Sequence, residues 1–340
     1  MRLLLEASNR SVAVENGIIV EPAGQFDRVV RMPGEVRPGL INAHDHLHRN
    51  HYGRLGAPPY ANAREWAADI QVRCAAEIAR GRAMKRRTAL LTGAWKNLLG
   101  GATHVVHHDS WESAFDSGFP IHVVRIPNGH SVLGLPESPF PAGAPFALHV
   151  AEGVDESAAA EVRALHARGL LNRHLLAVHA VGVDCADLAM LRQSNCAVVW
   201  CPTSNHFLFG RSAPPALLET VDVLLGSDSL LTGTGTLLDE IRAARGAISD
   251  GQLLDAVGDV AASRLGIAAP SLATGSPADI VLFRRNPLQA GAEDILLVMV
   301  AGDLRVLAPE LVSPIGVRDG RFIAWRGVTR WISEDTDVSL

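Results

Sequence analysis

Four histidines fall within the eleven residues INAHDHLHRNH, positions 41 to 51. His44 and His46 stand two apart, so on a strand both imidazoles leave by the same face. Two imidazoles fixed side by side are half of a four-ligand metal site. Three further apolar runs end in a residue able to bind a cation: ALHVAEG carries His149, LLAVHA carries His179 and LLGSDS carries Asp228. Glu152 follows His149 by three residues, just past the end of its run, where a carboxylate can hang over a pocket. A cation held by neutral imidazoles and one carboxylate keeps net positive charge and lowers the pKa of bound water toward about 7. A carboxylate beside that water can take its proton. The chemistry these residue types point to is hydrolysis.

Two other stretches offer polar groups to the same pocket. In HVVHHDS, alternation puts His107 and Asp109 on one face and His108 on the other, so either histidine is a candidate substrate contact. WCPTSNHFLFG adds Trp200, Ser204, Asn205 and His206 at the end of another apolar run, with Trp200, Asn205 and His206 as candidate substrate contacts.

The elements that position these residues follow from texture. FALHV, LLAVHA, AVVWC and VDVLLGSD are near-continuous apolar runs, as expected of parallel strands covered on both faces. Helical patterns lie between them, among them DESAAAEVRALHARG with Asp155 as its cap, CADLAMLRQ and TLLDEIRAARG. Strands alternating with helices predict parallel βα units. A long helical stretch from Asn62 stops at Gly100-Gly101. The first 36 residues are β in texture, with Asn16-Gly17 a hairpin signal, and β texture returns after Pro270 in SPADIVLF, ILLVMVAGDLRVL and GRFIAWRG. The expected organisation is a barrel over 37–267, inserted between two pieces, 1–36 and 268–340, of one small β-domain.

At 340 residues, with 48% hydrophobic and 20% charged residues, the chain can bury a large core. A net charge of -5 gives no general basic field, which argues against nucleic acid as a partner. The four cysteines form no Cys-x-x-Cys pair, so neither a disulfide framework nor a thiolate zinc site is expected. No apolar run approaches a membrane span, and the start lacks the pattern of a secretory signal. A cytoplasmic protein without a membrane partner is the expectation.

PGLINAHDHLH, LHVAEG, AVHAVGV, CPTSN, LLGSDS and GSPADIVLF together resemble the amidohydrolase superfamily, most closely its branch of single-metal deaminases and chlorohydrolases. The resemblance implies a (β/α)8 TIM barrel with a small β-sandwich. It implies that His44, His46, His149 and Asp228 hold one divalent metal, zinc or iron, and that Glu152, His179 and Asp228 attend its water. The implied reaction is hydrolysis of a carbon-nitrogen bond in a small cyclic molecule, foremost deamination of a heterocycle. Ring opening of a cyclic amide or imide, dehalogenation, and a non-catalytic metal-binding relative remain alternatives. Other members bridge two metals with a lysine on the fourth strand, but no lysine follows Lys96 here, so one metal is expected.

The chain departs from the family pattern between Arg125 and Phe146, where 20 residues, five of them proline, replace a helix, a strand and a second helix. Two crossovers do not fit in that length. SVLGL is the expected remnant of the fourth strand, and the barrel is expected to be shortened or degenerate there. Lost helices would leave apolar surface for a second copy to cover, so a homo-oligomer is compatible with this stretch.

Overall fold

The computed structural model describes residues 2–132, 135–136 and 139–333. Eight parallel strands carry the middle of the chain: β1 (Leu40–Asp45), β2 (Ala102–His107), β3 (His122–Val124), β4 (Asn128–Gly129), β5 (Phe146–Val150), β6 (Leu175–His179), β7 (Ala197–Trp200) and β8 (Asp222–Leu225). They form two hydrogen-bonded sheets, β1-β2-β3 and β8-β7-β6-β5-β4. The side chains alternate as parallel strands require. Ala147, Leu176, Val178, Val199 and Leu224 pack on one face, while Leu148, Ala177, Val198 and Leu225 join the core shared with the helices.

The helices fill the intervals. Asn62 caps α1 (Ala63–Arg73), its side chain accepting from the Glu65 amide at 3.0 Å. The helical stretch expected to run unbroken from Asn62 to Leu99 is three helices, α1, α2 (Ala75–Arg82) and α3 (Arg86–Leu99). Of these, α3 is the buried one, with Trp95 and Leu98 fully enclosed. Farther on come α4 (Pro202–Phe209), α5 (Leu237–Ala244) and α6 (Asp259–Leu265).

The seam between β3 and β4 explains the short stretch in the sequence. Only three residues, 125–127, join these strands. A parallel neighbour needs a crossover of a dozen or more residues, so β3 and β4 cannot be adjacent members of one ladder. β4 instead pairs with β5, Asn128 opposite Ala147 and Gly129 opposite Leu148. The fourth strand is therefore two residues long and precedes the SVLGL segment, part of which (133–134) lies outside the described residues. Among the described residues, no helix separates β4 from β5.

At the other seam, between β8 and β1, polar bonds replace a ladder. The Asp228 amide donates to the His44 carbonyl at 3.0 Å, and the Ser227 amide to Asn42 Oδ1 at 3.0 Å. Gly226 makes this approach feasible: a Cβ there would stand 2.6 Å from the Cβ of His44.

The chain ends build two further sheets. Residues 2–31 give a four-stranded sheet whose Ser11–Glu15 and Ile18–Val20 strands form the expected hairpin, with Asn16 at φ 50° and Gly17 at φ 81°. Glu35–Pro38 joins a six-stranded sheet made otherwise of residues 280–332, pairing antiparallel with Ile280–Phe283. Leu3, Leu5 and Val14 share one apolar core with Ile280, Leu297 and Met299.

Candidate metal centre

The ends of five parallel strands bring the chemistry-bearing residues together. His44 and His46 leave the end of β1, His108 follows β2, His149 lies on β5, His179 ends β6, and Asp228 lies three residues beyond β8. Every one of them is buried. His44 has its ring centroid 5.0 Å from His46, 5.1 Å from His149 and 5.5 Å from His179. Donor atoms of His44, His149 and His179 lie within 4.8 Å of one another, as do those of His44, His46 and Asp228. Residues spread from 44 to 228 thus meet at one point.

The rings of His46, His149 and His179 are each oriented by a partner at Nδ1, which leaves Nε2 to face the cluster. His46 Nδ1 lies 2.7 Å from Asp109 Oδ2, which frees Nε2 toward Asp228 Oδ1 at 3.9 Å. His149 Nδ1 lies 3.2 Å from Glu152 Oε2, and its Nε2 has no hydrogen-bond partner. Asn205 donates from its amide nitrogen to the His179 carbonyl and to Ser212, which leaves Asn205 Oδ1 to accept from His179 Nδ1 at 2.9 Å. His179 Nε2 then faces Glu152 Oε1 at 3.4 Å. Among the described residues, neither ring nitrogen of His44 finds a hydrogen-bond partner. Asp228 divides its oxygens: Oδ2 accepts from Ser204 at 2.8 Å and Thr232 at 2.9 Å, while Oδ1 points at His44 and His46.

The electrostatics match the ligand state a cation needs. Burial, followed by repulsion from neighbouring imidazoles, holds His44 and His108 well below the ordinary histidine range. Burial and then Arg49 bring His46 down to about 3. His149 is lowered chiefly by burial. Burial opposes ionisation of Asp228 and Glu152, yet both carboxyls lie below their usual range, with hydrogen bonds from Ser204 to Asp228 and from His149 to Glu152 among the causes. Neutral imidazoles beside ionised carboxylates are the forms that bind a metal. Several buried nitrogens without partners would cost about 1–3 kcal/mol each, and a cation would remove that cost for His44 and His149 together.

The backbone is bent to reach this arrangement. Strict alternation after Leu175 and Ala177 would turn His179 toward the helices. Its φ of 74°, followed by 53° at Ala180, turns the ring into the cluster instead. Ala151 and Asp228 also sit at φ 50°. Left-handed non-glycine residues cost on the order of 1–3 kcal/mol each and gather at functional sites.

The remaining candidates are placed less uniformly. His108 joins the cluster, its ring stacked 4.3 Å from His149. His107 turns away and accepts from the Leu47 amide at 3.2 Å. Trp200 packs in the core shared with the helices and donates to Ser212 at 2.6 Å. Asn205 supports His179, and His206 is exposed on α4. No spacing or strand pattern points to His130, whose donor atom lies within 4.8 Å of those of His108 and His149.

Beneath the cluster runs a buried polar network. Lys96, 1% exposed on α3, donates to Asp45 at 3.0 Å, Ser227 at 2.9 Å and the Asp228 carbonyl at 2.8 Å. Asn97 donates to Asp45 at 2.6 Å and Asn50 does so at 2.8 Å.

Known proteins resemble this chain in sequence over short segments and in fold over most of its length. No family model matches the chain. Aminodeoxyfutalosine deaminase of Deinococcus radiodurans is 40% identical over 87 residues, 25% of this chain and 21% of that protein. The 5-methylthioadenosine/S-adenosylhomocysteine deaminase of Pyrococcus horikoshii is 35% identical over 107 residues, 29% of this chain. The matched segments thus span only about a quarter of those relatives or less. Similarity of structure extends much farther. An adenosine deaminase from Xanthomonas campestris with bound zinc superposes with TM-score 0.69 at 18% identity, over 92% of this chain and 96% of that one. A variant of atrazine chlorohydrolase from Arthrobacter aurescens, complexed with zinc and atraton, gives 0.68 at 15% identity over 92% and 98%. Helicobacter pylori aminofutalosine deaminase in complex with methylthio-coformycin gives 0.61 at 14% identity over 89% and 99%. By these likenesses the chain has the fold of those deaminase and chlorohydrolase structures, and over about a quarter of its length its sequence resembles deaminases.

Proposed function

We propose that the chain is a metal-dependent hydrolase that deaminates a small heterocycle. The observation that carries this reading is the meeting of unpartnered nitrogens of His44, His149 and His179 with Asp228 Oδ1 and the Glu152 carboxylate in one buried cluster. The eight parallel strands act as one shortened barrel over 37–267, with the terminal sheets as a β-sandwich from 1–36 and 268–340.

In this reading His44, His46, His149 and Asp228 hold one divalent cation, zinc or iron. Such a cation supplies Lewis acidity and a water acidic enough to react near neutral pH. Glu152 lies between His149 and His179, where its carboxylate can take a proton from water and return it to the departing nitrogen. His179, its Nδ1 fixed by Asn205, presents Nε2 toward Glu152 and the cluster, where it steadies charge that develops on the reacting carbon's substituent. Asp109 fixes the tautomer of His46, and Ser204 and Thr232 fix the carboxylate plane of Asp228.

The likeness to a chlorohydrolase supports a second reading, in which the same residues displace halide instead of ammonia. The deciding experiment loads the protein with zinc or iron and assays aminated heterocycles, their chlorinated counterparts and cyclic amides. Ammonia release with the ring intact is the expected result. Halide release alone establishes the second reading, and conversion of no compound in any class overturns both.

A further inference from the structure

A cavity of about 550 Å³ is lined by the loop after β1, by helices α1 to α3 and by Leu231. Its polar lining is one-sided: Arg49, Arg82 and Arg86 with His48 and His51, and among the described residues no aspartate or glutamate. The carboxylates that pair with two of the arginines lie outside the lining. Arg49 is 3.5 Å from Asp109, and Arg86 donates to Glu112 at 2.8 Å. Among the described residues, the side-chain partner of Arg82 is the neutral Gln71, at 2.8 Å. The lining therefore carries surplus positive charge.

Two further features mark the cavity as a place for a ligand. His48 Nδ1 is buried without a hydrogen-bond partner among the described residues, 3.6 Å from Asp109, and the His51 ring lies against the backbone of His48 and Gly81, so the lining offers polar atoms to a ligand. The same lining includes the apolar side chains of Trp66, Ile70 and Leu231. Cationic forks and apolar surface in one cavity fit a flat or apolar body that ends in an anionic group. The cavity is also one link from the cluster. His48 stands two residues past His46, Leu231 three past Asp228, and Asp109 touches both His46 and Arg49.

We infer that this cavity holds the anionic end of the substrate, a carboxylate or phosphate on an apolar frame, while the reacting carbon lies at the imidazole cluster. The inference rests on the hydrolase reading and deepens it: the substrate class is an anionic aminated heterocycle. Carboxylate and phosphate present the same oxygen chemistry to arginine, and probes separate them.

The test is an NMR titration of the metal-loaded full chain with benzoate, phenyl phosphate and the neutral benzamide, repeated on the double variant Arg82→Gln, Arg86→Gln. Both side chains are exposed and neither touches the imidazole cluster. At least one anion should bind wild type about tenfold tighter than benzamide, and lose about that factor in the variant. The tighter of the two identifies the terminal group. Benzamide binding as tightly as both anions, or anion binding unchanged in the variant, overturns the inference. Ammonia release from neutral aminated heterocycles, measured alongside, tests the hydrolase reading separately. Anion binding through the arginines without ammonia release from any heterocycle would sink deamination and leave the anion site standing.

Discussion

Lys96 Nζ donates to the main-chain carbonyl of Asp228 at 2.8 Å, and the same ammonium lies 3.0 Å from Asp45. One buried cation thus ties the backbone of the proposed carboxylate ligand to the strand that carries His44 and His46. Asp228 is held in a left-handed conformation, φ 50°, and Lys96 is one of the bonds that keep it there.

Removing one partner of a buried ion pair leaves the other charge uncompensated, at a cost of about 3–5 kcal/mol. Lys96→Met is therefore expected to lower stability by that order, read by denaturant unfolding. A loss under about 1 kcal/mol would show that the network tolerates the missing ammonium.

Glu152→Gln keeps the shape of the side chain and removes its capacity to carry a proton. Metal content should stay at one ion per chain, while turnover falls by a factor of about 10²–10⁴. Near wild-type turnover would remove Glu152 from the proposed proton path.

Asp109→Asn leaves His46 in place but weakens the bond that fixes its ring at 2.7 Å. Loss of such a support typically costs 10–100-fold in metal affinity, which equilibrium dialysis against a chelator measures. His44→Ala, by contrast, should abolish binding. Equal affinity in Asp109→Asn and wild type would mean that the His46 tautomer is set by something else.

Glu240 supplies a pH prediction away from the cluster. Burial pushes its carboxyl up to about 8, although the Thr203 amide and hydroxyl both hydrogen-bond to it. A carboxyl whose folded pKa lies above its unfolded value favours folding when protonated. That contribution is complete below the unfolded value, near 4.3, and is lost as pH rises toward about 8. Unfolding free energies of Glu240→Gln and wild type should therefore diverge from pH 5 to pH 8, in favour of the variant. Parallel curves would place the Glu240 pKa near the ordinary carboxyl range.

Much of this arrangement is legible in the sequence, for a local reason. Parallel strands read as apolar runs, and a polar residue at the end of such a run must face a pocket or a bond. His149 follows directly, two residues from the inward Ala147. His179 is another matter: alternation alone would turn it to the helices, and only the left-handed backbone brings it in. At β2 the strand ends at His107, so strict alternation stops there and does not fix where His108 and Asp109 point. Asp109 reaches His46 and His108 reaches His149.

What escaped the sequence depends on contacts distant along the chain. Lys96 lies in a helical run and looks like a solvated residue, yet its partners stand 51, 131 and 132 positions away. No periodicity reports such a partner. The fourth strand was similarly hidden, because two residues carry no alternation, and Asn128-Gly129 has turn chemistry rather than strand texture. The breaks that divide α1, α2 and α3 fall at Cys74 and around Met84, residues without breaker character. Tight packing of Gly81 against Tyr52 shows that tertiary contact shapes this region.

The approach of Gly226 to His44 closes one route of divergence. Even a methyl group at that position would displace an imidazole, so bulk cannot be added along this part of the rim without disturbing the proposed metal site. Descendants of this chain that adopt new substrates must remodel elsewhere, in the loop after His46 and the short link beyond β3, leaving the β8 to β1 join as the fixed half of the mouth.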